Sequence, residues 1–183
     1  MAGALLVALC LVVGVSDGDT LTARCPTQEA AHPHEQIRVR FAGTDAPESG
    51  QPFGRKSKQA LSDLVYSKSV TLQCAKQDRH GRHVCDVSLP SGDVGQTMIA
   101  QGMAWFYRDY ARELGAQQRS AYDAAERDAR ARRAGLWADP QPIPPWQWRR
   151  ADKSAAADAS GCITGPKGGR YLLDSTGRKH YGC

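Results

Sequence analysis

The sequence lacks a run of apolar residues long enough to cross a bilayer. One uncharged apolar stretch covers residues 1–15, whereas a membrane span needs about 20 residues. We therefore predict no stable membrane span. The stretch is typical of the apolar part of a secretory signal, although no Lys or Arg precedes it. Residues 11–15 equally fit a first strand, so a signal remnant and a strand both stay open.

Cysteines at the close C-x-x-C spacing of zinc sites are also absent. Cys74 and Cys85 lie in two predicted strands on either side of a tight loop, while Cys162 and Cys183 bracket the C-terminal end. We predict two disulfides from these pairs, with Cys25 left over. Disulfides indicate an oxidising compartment, secreted or periplasmic. The alternative is a cytosolic protein with buried free thiols.

Most of the chain carries little net charge. The total is +5, but residues 149–183 contain seven Lys/Arg and three Asp, which leaves +1 for the remainder. A basic end fits a polyanionic partner, or a solvated tail that aids solubility. No internal repeat is evident. We predict an apolar segment over residues 1–10, a domain over 11–150, a linker over 151–161 and a small basic module over 162–183.

The hydrophobic pattern predicts five short strands. A hairpin turns at Asp17–Gly18, and strands follow over residues 37–41, 70–74 and 83–89. Helices are predicted over 57–67, 94–101 and 116–134, the last with Ala121, Ala125 and Ala129 as its inner stripe. This order matches an α+β fold in which a five-stranded OB-type Greek-key barrel carries three helices. Such barrels commonly bind nucleic acid.

Charged residues cluster at the ends of three of these strands. Asp19 follows the first hairpin turn, and Arg40 precedes a turn that contains Asp45 and Glu48. Arg82 ends the turn that begins at Asp78. Taken singly, each segment is an ordinary polar turn. Together they supply three carboxylates and two arginines, all at strand ends beside turns.

This combination suits the cleavage of a phosphodiester. The negative substrate repels a hydroxide nucleophile, and the transition state gathers more charge on the phosphoryl oxygens. A hard cation such as Ca²⁺, which prefers oxygen ligands, can neutralise that charge. Arginine can grip two phosphate oxygens at once. A glutamate can orient or deprotonate the attacking water.

The chain resembles the staphylococcal-type nuclease (thermonuclease) family over roughly residues 11–150. The resemblance rests on five segments: Val15-Ser-Asp-Gly-Asp-Thr20, Arg40-Phe-Ala-Gly-Thr-Asp-Ala-Pro-Glu48, Asp78-Arg-His-Gly-Arg82, Gln101-Gly-Met-Ala-Trp105 and Gly135-Leu-Trp137. It implies an OB barrel with three helices. It also implies calcium-dependent endonucleolytic hydrolysis of DNA and RNA that leaves 3′-phosphate ends.

The resemblance also implies a metal site and a catalytic group. Asp19 and Asp45 match the calcium-binding carboxylates, and Ala46 matches a position whose backbone carbonyl binds the metal. The family prototype has Thr at this last position, but a carbonyl ligand does not depend on the side chain. Glu48 matches the group that acts as general base or orients the water.

Further matches concern the substrate. Arg40 and Arg82 match the arginines that grip the phosphate. Arg79 and His80 fall where the prototype has a Lys and a Tyr that contact a terminal phosphate, and Tyr110 matches an aromatic near the base pocket. We expect a monomer that acts on DNA and RNA, preferring single-stranded or locally open regions. The alternative is a non-catalytic OB-fold module that binds nucleic acid.

Overall fold

The computed structural model describes residues 6–150 and three short strands nearer the C-terminus. The chain divides into two compact units, Met1–Pro144 and Pro145–Cys183. The predicted linker over residues 151–161 and the predicted Cys162–Cys183 pair lie outside the described residues. No helix in the described part is both long enough and apolar enough to cross a membrane.

The first unit is built on a closed five-stranded barrel, which confirms the predicted fold. Its strands are β1 Leu6–Val15, β2 Thr20–Pro26, β3 His34–Phe41, β5 Ser69–Gln77 and β6 His83–Leu89. They pair in the order β3-β2-β1-β5-β6, and a parallel pairing of β3 with β6 closes the sheet. Short strands β4 Thr44–Asp45 and β8 Trp105–Phe106 pair with each other, and β7 Gly92–Asp93 pairs antiparallel with the end of β6.

Alternation along the strands fills the barrel. Ile37, Val39 and Phe41 of β3 are buried, whereas Arg38 between them is exposed. The same period of two buries Val70 and Leu72 in β5. Because alternate side chains point to opposite faces of a strand, every barrel strand contributes one row to a common core.

Two disulfides join neighbouring barrel strands. One connects Cys74 and Cys85 across β5 and β6, and the other connects Cys10 and Cys25 across β1 and β2. The prediction that Cys25 is left over is therefore wrong. The strand β1 begins at Leu6, four residues before Cys10, and its pairing with β2 brings the two cysteines together.

Three α-helices cover the barrel: α1 Gly54–Val65, α2 Val94–Ala100 and α3 Ala116–Ala131. Two 3₁₀ helices, Arg108–Glu113 and Gly135–Ala138, flank α3. The helix α1 starts three residues earlier than its hydrophobic repeat predicts. Its first turn packs through small residues, Gly54 and Ser57, which carry no hydrophobic signal.

The inner stripe of α3 differs from the predicted alanines. The buried residues are Tyr122, Glu126 and Ala129, whereas Ala121 and Ala125 are only partly buried. A buried glutamate is tolerated because it is fully partnered. Glu126 accepts hydrogen bonds from the Phe106 amide at 3.1 Å and from the guanidinium groups of Arg108 at 2.7 Å and Arg130 at 3.3 Å. Sequence periodicity alone does not show these partners.

The second unit is described only in part. Residues 145–150 are helical. Strands β9 Ile163–Thr164, β10 Arg170–Leu173 and β11 Lys179–Tyr181 form a small antiparallel sheet in the order β11-β10-β9. The predicted basic module therefore contains regular structure.

We predict that Glu126→Ala lowers the free energy of unfolding by about 2–3 kcal/mol, because it leaves the buried Phe106 amide without its acceptor and removes one acceptor each from Arg108 and Arg130. Asp123→Ala is the matched control. Its carboxylate also accepts from Arg108, at 2.7 Å, but its side chain is 39% exposed against 1% for Glu126. The control should lower the free energy by about 1 kcal/mol or less. Chemical denaturation measures both, and equal losses would contradict the assignment.

Candidate active site

The hairpin between β1 and β2 presents two aspartates in a tight turn. The Asp19 amide donates to Asp17 Oδ1 at 3.0 Å, which fixes the turn. Gly18 lies against helix α1, where a Cβ atom would come within 1.8 Å of Ser57 Oγ. Ser57 in turn donates to the Met103 carbonyl at 2.6 Å. The turn is thus pressed against the rest of the fold and holds Asp19 in a buried position.

Arg40 brings the two predicted metal carboxylates together. Its Nη1 donates to Asp19 Oδ1 at 3.2 Å, and its Nη2 donates to Asp45 Oδ1 at 3.1 Å and to the Thr44 carbonyl at 3.3 Å. The side chains of Asp19 and Asp45 are 4% and 1% exposed, and that of Arg40 is 18% exposed. Low exposure strengthens these charge-assisted bonds relative to a surface ion pair.

Ala46 is joined to the same cluster through its backbone. Its amide donates to Asp19 Oδ2 at 2.8 Å. Asp45, just before it, pairs with Trp105 across β4 and β8. The loop after β3 is therefore attached to the β1–β2 hairpin on one side and to β8 on the other. Asp19, Arg40, Asp45 and Ala46, which sequence analysis selected, form one connected cluster.

Glu48 follows this cluster on the same loop and is half-buried. Its amide donates to Gln51 Oε1 at 3.1 Å, and Gln51 Nε2 donates to the Ile143 carbonyl at 2.5 Å. The start of α1 also packs on this segment, since a Cβ atom on Gly54 would lie 2.0 Å from the Glu48 carbonyl oxygen. The backbone at Glu48 is thereby held by Gln51 and by the start of α1.

The second arginine enters from the closing strand. Arg82 directly precedes β6, where Val84 pairs with Arg40 of β3, so the two arginines stand at diagonal positions on adjacent strands. Arg82 donates from Nε to Asp78 Oδ2 at 2.8 Å, and its amide donates to Asp78 Oδ1 at 3.0 Å. Burial by itself would raise the pKa of Asp78. Hydrogen bonds from Arg82 and His80 outweigh burial and lower this pKa to about 2. Asp78 therefore holds the Arg82 turn as a carboxylate.

The predicted substrate-binding residues lie at the exposed side of this turn. Arg79 and His80 are exposed, and Arg79 Nε donates to His80 Nε2 at 3.1 Å. Tyr110 sits in the 3₁₀ helix before α3 and is 44% exposed. Lys76 Nζ, at the end of β5, lies 5.9 Å from the Tyr110 ring centroid.

The cluster offers only oxygen donors to a metal. In the described residues no three His, Cys, Asp or Glu side chains are grouped so as to hold an ion. Burial, followed by the Asp19 carboxylate, raises the pKa of Asp17 from 3.8 to about 7. Asp17 and Asp19 thus lie close together in this hairpin. Protein oxygens as the only donors fit a hard cation that keeps water ligands, and do not fit a soft metal.

Sequence analysis missed the residues that hold the site from behind. Gln51 donates a hydrogen bond to the carbonyl of Ile143, 92 positions away, and Ser57 donates one to the carbonyl of Met103. Neither has a local pattern that marks it, because each acts through one long-range contact. Asp78 stood in a selected segment, but its grip on Arg82 follows from the turn geometry.

The chain is similar to several known proteins. A model of the staphylococcal nuclease homologue family matches residues 38–139. An uncharacterized endonuclease of Haemophilus influenzae is 44% identical over 144 residues, covering 79% of this chain and 74% of that protein. A micrococcal nuclease of Shigella flexneri is 39% identical over 153 residues, covering 79% and 82%. A probable staphylococcal-like nuclease of Oryza sativa subsp. japonica is 37% identical over 123 residues, covering 67% and 35%.

We predict that Gly54→Ala destabilises the fold by about 1–3 kcal/mol, because the added methyl group meets the Glu48 carbonyl and the loop must move. Gly50→Ala is the matched control in the same loop. A Cβ atom there meets nothing within 4 Å, so we expect no loss. Thermal unfolding of both variants tests this, and equal melting temperatures would contradict the tight packing at Gly54.

Proposed function

The chain belongs to the family of staphylococcal nuclease homologues and is a nuclease, and we propose that it is a calcium-dependent endonuclease that leaves 3′-phosphate ends. One observation carries this proposal. Arg40 bridges two buried carboxylates, Asp19 and Asp45, at 3.2 and 3.1 Å. Glu48 lies three residues further along the same loop. A barrel that only bound nucleic acid would not require two buried carboxylates paired with one arginine.

In the proposed mechanism, Asp19, Asp45 and the carbonyl of Ala46 are the groups that would hold a calcium ion. A hard divalent cation at this position would neutralise charge on the phosphoryl oxygens in the transition state. The all-oxygen donor set supports calcium over zinc or copper.

The protein groups supply the remaining steps. Glu48 accepts a proton from the attacking water, whose oxygen forms a bond to phosphorus as the bond to the 5′-oxygen breaks, and the leaving 5′-oxygen takes a proton from solvent water. The products are a 3′-phosphate and a 5′-hydroxyl. Arg40 and Arg82, on adjacent strands, grip the phosphoryl oxygens from two sides. Asp78 orients Arg82 through its two hydrogen bonds.

The substrate is DNA and RNA, with single-stranded or locally open regions preferred. The exposed Tyr110 ring provides a stacking surface that every base can use once it is unpaired. Arg79 and His80, exposed on the turn before β6, would contact a terminal phosphate of the substrate. The disulfides support a secreted or periplasmic location. The active unit is a monomer.

Glu48→Gln tests the catalytic role. We predict that cleavage of single-stranded and plasmid DNA requires calcium, stops with a chelator and falls about 10²–10⁴-fold in this variant, because the amide cannot accept the proton. Glu29→Gln is the matched control, since Glu29 is a surface residue with a 79% exposed side chain. The control should cleave normally. Cleavage that ignores both chelator and Glu48→Gln would refute the mechanism.

Arg40→Lys tests the bidentate grip. Lysine keeps the charge but not the planar fork, so we predict that kcat falls by about 10²-fold or more, comparable to losing one donor to the developing charge. Arg38→Lys, two positions earlier on the exposed face of β3, should leave kcat unchanged. Steady-state kinetics on a short oligonucleotide measures both. An equal effect at the two positions would show that only the charge of the strand matters.

A further inference from the structure

The two hairpins that carry site residues share one construction. The Cys10–Cys25 disulfide closes the β1–β2 hairpin, whose turn holds Asp17 and Asp19. The Cys74–Cys85 disulfide closes the β5–β6 hairpin, whose turn runs from Asp78 to Arg82. All four cysteines are buried. Each covalent link therefore lies in the barrel wall below a turn that delivers residues to the site.

A β-bulge stands between each disulfide and its turn. In β1 the register shifts between Val12 and Gly14, and in β5 it shifts between Cys74 and Lys76. A bulge inserts one unpaired residue, bends the strand and changes which side chains the turn presents. If the bulge moved along the strand, or the hairpin slipped by one residue, the turn residues would change faces. A disulfide beside the bulge blocks such slippage, because it ties one specific pair of residues together.

We propose that the two disulfides are positioning elements of the active site, each of which fixes the register of one bulged hairpin and so the placement of its turn. Cys10–Cys25 positions Asp19 against Arg40 and the Ala46 amide. Cys74–Cys85 positions Arg82, three residues from Cys85, beside β3. This inference rests on the proposed roles of Asp19 and Arg82 in catalysis.

The third segment of the site is held in place without a disulfide. The loop over residues 42–48 contains no cysteine. It is held instead by the pairing of β4 with β8 and by the hydrogen bond from Ala46 to Asp19. Because Cys85 also pairs with Phe41 across the closing strands, the second disulfide stands where β3 and β6 complete the barrel. The covalent links thus occur in the strands of the two hairpins whose turns carry site residues.

Kinetics on the double variants Cys10→Ala/Cys25→Ala and Cys74→Ala/Cys85→Ala separates positioning from general stability. Each variant is the control for the other, and both are measured at a temperature where circular dichroism shows them folded. Loss of the first pair should raise the calcium concentration for half-maximal cleavage about 10–100-fold, as when a group that orients a metal ligand is removed. Loss of the second pair should raise KM or lower kcat for DNA with the calcium response unchanged. Activity that falls equally in both, in step with melting temperature, would overturn the proposal.

Amide hydrogen exchange gives a second readout that does not depend on cleavage. In the Cys10→Ala/Cys25→Ala variant the amides of Asp19 and Ala46 should lose protection, whereas those of His80 and Arg82 should not. The Cys74→Ala/Cys85→Ala variant should show the reverse. If the wild-type protein fails to cleave nucleic acid, the proposed function fails while this test still decides the positioning role. Unchanged exchange at all four amides would overturn it.

Valine variants cover the case in which an alanine pair leaves too little folded protein. Valine at both positions fills the core and favours the strand, but supplies no covalent link. The same exchange and calcium measurements then apply. Valine pairs that retain wild-type exchange and calcium response would show that packing at these positions is sufficient, which contradicts the proposal.

Discussion

The guanidinium of Arg40 between the carboxylates of Asp19 and Asp45 is the interaction on which the site depends. Three nearly buried charges are unfavourable unless each is paired with good geometry. The pairing requires that β2, β3 and β4 arrive at the same end of the barrel. Thr20 pairs with Arg40, and the Phe41 amide donates to the Asp19 carbonyl at 2.9 Å, which sets that arrival. The ion-pair cluster thus exists because the strand register is correct.

Close backbone packing supports this cluster from outside the barrel. Gly18 and Gly54 lie where a side chain would collide with α1 or with the Glu48 carbonyl. Helix α1 is therefore in contact with both the β1–β2 hairpin and the loop that carries Glu48. Glu126 acts in the same way from α3, since it accepts from the amide of Phe106 in the strand that pairs with β4. The loop over residues 42–48 is consequently held by the core, and its residues 42–47 are themselves buried.

The sequence contained much of this architecture in local form. Alternation in residues 37–41 predicts a barrel strand, and Asp17–Gly18 predicts a hairpin, because both depend on neighbouring residues only. The identities of Asp19, Arg40, Asp45, Glu48 and Arg82 indicate phosphodiester chemistry before any fold is known. The predicted end of helix α3 lies three residues beyond the observed one. Its predicted buried face consists of alanines, because a charged residue such as Glu126 is ordinarily exposed.

The residue types and the strand pattern were therefore determined by the sequence itself, since both arise from short-range periodicity and side-chain chemistry. Only the tertiary structure decided which distant groups meet. It joined Cys10 to Cys25, placed Glu126 beneath β8, and linked Gln51 to Ile143 across 92 positions. Such contacts depend on register and on packing between elements, and no local pattern carries that information. The assembly of Asp19, Arg40 and Asp45 into one cluster belongs to this second class, because closing the barrel brings their three strand ends together.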